Sequence, residues 1–123
     1  MKIKDLMKKP VVTERDVTLS EAAKIMTKYS INSLIVEKDS KIVGIITHHD
    51  LIKYFGQSKK VSEVMTKNVI TIKDSDKIQK AIELVREKEV GIFPVVDLRG
   101  KLVGILDSKD LLKVWDSDDF LID

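Results

Sequence analysis

Cysteine is missing altogether from this chain of 123 residues, so neither a disulfide framework nor a thiolate metal site can be built from it. Proline (2) and glycine (5) are scarce and aromatic residues make up 5%, while hydrophobic residues reach 43% and charged residues 34%. That balance excludes a low-complexity chain and describes a globular one, long enough to bury a core as a single domain. A dominant charge is lacking too. The formal net charge is +2, residues 1–58 carry +3 and residues 59–123 carry −1, and no basic run exceeds a Lys pair. Nucleic-acid binding is therefore only a weak alternative. The longest mainly apolar run, VGIFPVV at 90–96, is far too short to span a bilayer. The basic start MKIKDLMKKP has no apolar stretch of signal-peptide type. The expectation is a cytoplasmic protein with no membrane partner.

Histidine occurs twice, as the adjacent pair His48 and His49. Neighbours on a helix point about 100° apart, so this pair does not chelate by itself, and no metal site is expected. Nucleophilic catalysis needs a Ser or Cys beside a His base and an orienting acid. Both histidines fall in one short stretch with no nucleophile elbow. No catalytic residue and no resident cofactor are expected, and the chain reads as something other than an enzyme.

The chain instead repeats itself. KIVGIITHHDLIK (41–53) returns as KLVGILDSKDLLK (101–113), with seven of thirteen positions identical and three more Ile/Leu exchanges. The three remaining differences fall together: Thr47, His48 and His49 become Asp107, Ser108 and Lys109. Upstream, IKDLMKKPVVT (3–13) aligns with VSEVMTKNVIT (61–71), keeping Met7/Met65, Lys9/Lys67, Val11/Val69 and Thr13/Thr71. The chain divides into a first motif (1–56), a linker (57–60), a second motif (61–115) and an acidic tail (116–123). Met7 and Met65, at matching places, are expected in the core.

Each copy reads as β-α-β-β-α. VVT (11–13) and VIT (69–71) are short strands. Thr18 and Glu21 form a capping box, after which Leu19, Ala22, Met26 and Tyr29 recur at helical spacing. The second copy places Asp76 near the N-cap and Ile78, Ala81, Ile82 and Val85 on the apolar face. SLIV (33–36) and FPVV (93–96) are buried strands that turn through KDSK and LRGK into KIVGIIT and KLVGIL, a hairpin in each copy. A last helix starts near residues 48 and 108. Neither copy buries both apolar helix faces alone. The fold class is α+β, with the two motifs packed about a pseudo-twofold axis and matching clefts between the halves.

The pattern GxxTxxD (Gly44, Thr47, Asp50) falls where a strand ends and a helix starts. Glycine permits close backbone approach, Asp50 suits the hydroxyls of a ribose, and the helix start offers N–H groups to phosphate. Thr47 with Asp50, and Asp107 with Asp110, also satisfy a helix-capping pattern, and the same side chains can serve both roles.

These residues carry a family resemblance. VVT…EAAKIM…INSLIV…KIVGIITHHDLI and VIT…KAIELV…VGIFPVVD…KLVGILDSKDLL resemble a tandem pair of CBS domains, a Bateman module, over about residues 3–114. The resemblance implies a regulatory module that binds AMP, ADP, ATP or S-adenosylmethionine, forms a homodimer and signals to an effector protein. It implies composite sites in which Thr47 and Asp50 work with Val69, Val90 and Gly91. Asp110 would work with Val11, Ile31 and Asn32, while His49 and Lys109 would stand near a phosphate. The second motif departs from the family pattern in carrying Asp107 in place of a hydroxyl residue. Basic residues found in some family members are lacking at Asn32, Ser33, Gly91 and Ile92. The alternative reading is an interaction or dimerisation module with degenerate clefts.

Overall fold

The computed structural model describes residues 1–115; the acidic tail lies outside them, as does the Trp115 side chain. The chain forms two compact units. One is Val11–Val69, and the other joins Met1–Pro10 to the chain from Ile70 on. The linker at 57–60 lies inside the Val11–Val69 unit. Each repeat's leading segment packs with the body of the other repeat. Ile3 is buried in the cluster of Ile72, Ile78 and Phe93, and Val61 in that of Leu19, Leu34 and Ile46. Both segments are apolar at the two places that anchor them, which is why each closes a core.

In the Val11–Val69 unit, β1 (Val12–Thr13) pairs parallel with β2 (Ser33–Lys38), which pairs antiparallel with β3 (Lys41–Thr47). Helix α1 (Leu19–Lys28) starts on a full capping box, with Glu21 N donating to Thr18 Oγ1 at 3.1 Å and Thr18 N donating to Glu21 at 3.3 Å. Leu19, Ala22 and Met26, one stripe at helical spacing, are buried, whereas Tyr29 is exposed at the C-cap. Ser30 takes a left-handed conformation (φ 52°); its N–H donates to Thr27 O at 3.2 Å and that of Ile31 to Met26 O at 3.0 Å. This is a Schellman end, and it swings Ile31 back onto the cluster beside Met26. Helix α2 (His48–Lys53) follows β3 directly, and the short α3 (Val61–Val64) carries the anchor Val61.

The other unit repeats the plan. Strand β4 (Ile72–Lys73) pairs parallel with β5 (Ile92–Val96), which pairs antiparallel with β6 (Leu102–Asp107). Helices α4 (Ile78–Lys88) and α5 (Ser108–Trp115) complete the repeat, and Ile3–Asp5 forms a 3₁₀ turn. Strand β4 begins one residue beyond the expected VIT stretch. The physical reason is Pro94. In the first sheet Ile35 N donates to Val11 O at 3.1 Å, and Pro94, at the place equivalent to Ile35, has no N–H to donate. That rung is missing, and the parallel pairing starts at Ile72 with Val95.

Candidate functional site

In a β1-β2-β3 sheet with parallel β1 and β2, the starts of β1 and β2 meet the end of antiparallel β3. Val11 precedes β1, Ile31 and Asn32 precede β2, and Thr47 ends β3, with Ser33 paired opposite it. His48 N donates to Asn32 O at 3.0 Å, tying the start of β2 to that of α2. One end of one sheet therefore gathers Val11, Ile31, Asn32, Thr47 and Asp50. Val69 belongs to the same unit. The equivalent end of the β4-β5-β6 sheet gathers Val90, Gly91, Asp107, Lys109 and Asp110, with Ser108 N donating to Gly91 O at 2.8 Å. The crosswise partners named from the family resemblance, Asp50 with Val90 and Gly91 and Asp110 with Val11, Ile31 and Asn32, fall in different units. His49 and Lys109 are exposed on their helix starts.

The first motif's acid is half used. Thr47 N and Thr47 Oγ1 both donate to Asp50 Oδ2, at 2.8 and 3.1 Å, and Asp50 N donates back to Thr47 Oγ1 at 3.4 Å. This reciprocal cap fixes the carboxylate rotamer. Asp50 is only partly buried, and the described hydrogen bonds to its carboxylate both fall on Oδ2, leaving Oδ1 open. A carboxylate held by one oxygen with the other open is prepared to accept hydroxyl donors.

The second motif's acid is fully used. Asp107 N donates to Asp110 Oδ2 at 3.0 Å, and Asp110 N donates to Asp107 Oδ1 at 2.9 Å, so the cap is preserved although a carboxylate replaces the hydroxyl. The Asp110 side chain is 2% exposed, and its Oδ1 faces the ammonium groups of Lys8 at 3.0 Å and Lys113 at 3.6 Å. The contact is an ion pair rather than an aligned hydrogen bond. Burial pushes the Asp110 pKa up, but the Asp107 N–H, then Lys8 and Lys113, outweigh it and hold the group below its usual 3.8. Asp110 in turn raises the Lys8 ammonium above 10.5, with Asp107 adding a smaller pull.

Lys8 escaped the sequence reading. Its signal was an exchange of opposite signs: Lys8 stands where the first repeat's partner segment has Thr66, and Asp107 stands where the first motif has Thr47. The bridges Lys8–Ile105 and Thr66–Ile45 are structural equivalents.

Gly44 and Gly104 approach side chains of the chain itself. A β-carbon on Gly44 would overlap Met65 Sδ and stand 2.6 Å from Met65 Cγ; on Gly104 it would stand 2.5 Å from Met7 Sδ. Met7 and Met65 are partly buried against the two cores, where the sequence placed them. Among the described residues, no group of three or more His, Asp or Glu is arranged to hold a metal ion, and no helix is long and apolar enough to cross a membrane.

The CBS-domain family model matches residues 3–57 and 61–117. An inosine-5′-monophosphate dehydrogenase of Methanocaldococcus jannaschii is 39% identical over 109 residues, 88% of this chain and 22% of the relative. An L-aspartate semialdehyde sulfurtransferase of the same organism is 37% identical over 116 residues, 92% of this chain and 23% of the relative. The chain thus spans under a quarter of the length of these enzymes. Among solved structures, a CBS domain pair in complex with 5′-methylthioadenosine and S-adenosyl-L-methionine is 33% identical with a TM-score of 0.86, covering 94% of this chain and 95% of that one. A CBS-domain protein from Agrobacterium tumefaciens is 28% identical with a TM-score of 0.82, covering 93% and 98%. With both motifs matched and the β-α-β-β-α plan present twice, the chain belongs to the CBS-domain family as a pair of CBS domains.

Proposed function

We propose that this CBS pair is a regulatory module that binds an adenosine-containing ligand at Asp50 and passes its state to a partner protein. The observation that carries the reading is the open Oδ1 of Asp50 on a carboxylate fixed by Thr47. Support comes from the 33% identical pair, which was solved with 5′-methylthioadenosine and S-adenosyl-L-methionine. Asp50 and Thr47 take the sugar hydroxyls, and Val11 and Ile31 offer apolar surface to the base beside Asn32. No Lys or Arg stands at Asn32 or Ser33 to hold a phosphate. S-adenosylmethionine and 5′-methylthioadenosine are therefore favoured over AMP, ADP and ATP. The module itself catalyses nothing in this reading and acts in the cytoplasm.

Calorimetry with these five ligands tests it. Asp50→Ala removes hydrogen bonds to a charged acceptor worth about 1.5 to 3 kcal/mol, a loss of about ten- to a hundredfold in affinity. Unchanged affinity in a folded Asp50→Ala protein overturns the assignment. If a nucleic acid raises the melting temperature and none of the five ligands does, the nucleic-acid alternative takes its place.

A homodimer accompanies this reading. Ile52 and Phe55 at α2 are 70% and 88% exposed, and Leu112 on α5 is 64% exposed. Large apolar side chains left in water at the same place of both repeats suit a self-complementary contact.

A further inference from the structure

We propose that Lys8 decides which of the two motifs binds, by closing the sugar carboxylate of the second motif while Thr66 leaves that of the first open. The inference rests on the preceding reading, that the motif aspartates receive ligand hydroxyls.

Two equivalent backbone placements carry unequal side chains. Lys8 N donates to Ile105 O at 2.8 Å and Ile105 N to Lys8 O at 2.9 Å; Thr66 N and Ile45 N exchange the same two bonds with each other's carbonyls at 3.0 Å. Each leading segment is thus pinned to the strand that ends at its motif. From the same point a lysine reaches the acid and a threonine does not. Lys8 Nζ lies 3.0 Å from Asp110 Oδ1, whereas the described hydrogen bonds of the Asp50 carboxylate are those from Thr47.

The two acids differ in what they still offer. A vicinal pair of hydroxyls needs accessible acceptor positions on the carboxylate. Asp110 is 1% exposed, with one oxygen on the Asp107 N–H and the other facing two ammonium groups. A hydroxyl would have to displace a charged partner to reach it, a poor exchange for a buried carboxylate. Asp50 asks for no such exchange. The Lys8 side chain is itself 56% exposed, so replacing it leaves the core undisturbed. Lys113 stands farther off, at 3.6 Å on a side chain 64% exposed, so when Lys8 is removed it still compensates the Asp110 charge but leaves Oδ1 without a partner at hydrogen-bond distance.

The test is the number of sites seen by calorimetry with S-adenosylmethionine, 5′-methylthioadenosine and AMP. Wild type is expected to show one site, abolished by Asp50→Ala. Lys8→Thr, which copies the first motif, is expected to gain a second site at least tenfold tighter than any residual binding in wild type. Asp110→Asn in the Lys8→Thr background should remove that gain. Thr66→Lys should weaken the first site at least tenfold. Lys8→Met, which keeps the apolar stem, stands in if Lys8→Thr fails to fold by circular dichroism. Two equal sites in wild type, or no gain in a folded Lys8 variant, overturn the proposal. Failure of the underlying reading looks different. If wild type binds none of the probes and Lys8→Thr binds one through Asp110, the control by Lys8 stands and the assignment to Asp50 falls. If no variant binds any probe, both fall.

Discussion

The thioether of Met65 occupies the space where a β-carbon of Gly44 would be, and Met7 does the same at Gly104. The glycine that opens each GxxxxxD stretch therefore admits a neighbouring segment to the sheet surface. Neither glycine has a positive φ, so alanine brings crowding without backbone strain. Overpacking of this kind costs about 1 to 3 kcal/mol. Gly104→Ala should be the costlier, because Met7 Cβ, held close to its own backbone, stands only 3.1 Å away, whereas the Gly44 contacts are with the movable Sδ, Cγ and Cε of Met65. Urea unfolding measures both. The pair Gly44→Ala with Met65→Ala should cost less than the sum of the singles, and strict additivity would show that the contact is not what limits Gly44.

The two long helices start differently. Thr18 caps α1 with its hydroxyl, while Lys77, at the N-cap of α4 in extended conformation (φ −76°, ψ 151°), supplies no side-chain cap. Thr18→Ala should lower stability by about 1 kcal/mol, and Lys77→Ser should raise it by about 0.5 to 1 kcal/mol. Thermal unfolding of both variants checks the pair. A Lys77→Ser protein no more stable than wild type would mean that the start of α4 is already satisfied by other partners, as Ile78 N is by Met1 O at 3.3 Å.

Much of this fold was legible because its cues are local. The Thr18–Glu21 box, the stripe of Leu19, Ala22 and Met26, and the hairpins after SLIV and FPVV each declare themselves within a few residues. The start of β4 was misplaced because the deciding residue, Pro94, lies on the partner strand, more than twenty residues away in sequence. The exchange of leading segments was invisible for a related reason. Ile3 and Val61 look alike as anchors, and alignment cannot say which core each one fills. At the site, the Thr47–Asp50 cap was readable from spacing. The ion pair of Lys8 with Asp110 was not, since 102 residues separate its members and only the fold brings them together.

The exposed ends of the last helices give a test of assembly. Light scattering at micromolar concentration should give twice the chain mass. Replacing Ile52, Phe55 and Leu112 together by Ser should shift the protein to a monomer that stays folded by circular dichroism, because these side chains are 70%, 88% and 64% exposed and contribute little to the core. A monomer mass for wild type rejects the dimer.

The Lys8–Asp110 pair also sets a pH window. Asp110 is held below its ordinary 3.8, so its contribution to stability is complete above that value and is lost as pH falls through the lower, folded-state pKa. Lys8 is raised above 10.5, so its contribution is complete below that value and is lost as pH rises through the higher, folded-state pKa. Between about pH 5 and pH 9 neither group changes charge in either state, and the pair contributes a constant amount. Asp16 adds to the acid limb, because the Ser62 hydroxyl and then the Ser62 N–H, at 2.7 and 3.0 Å, hold its pKa down as well. Wild type and Asp110→Asn, unfolded with urea across the pH range, should therefore differ by a constant amount from about pH 5 to 9, with wild type the more stable. The difference should shrink as pH falls below 3.8, where the unfolded chain's carboxylate takes up its proton while the native one stays ionised down to its lower pKa. A stability difference that grows on acidification would mean that Asp110 is protonated in the folded protein at neutral pH, and that Lys8 has no charge to pair with.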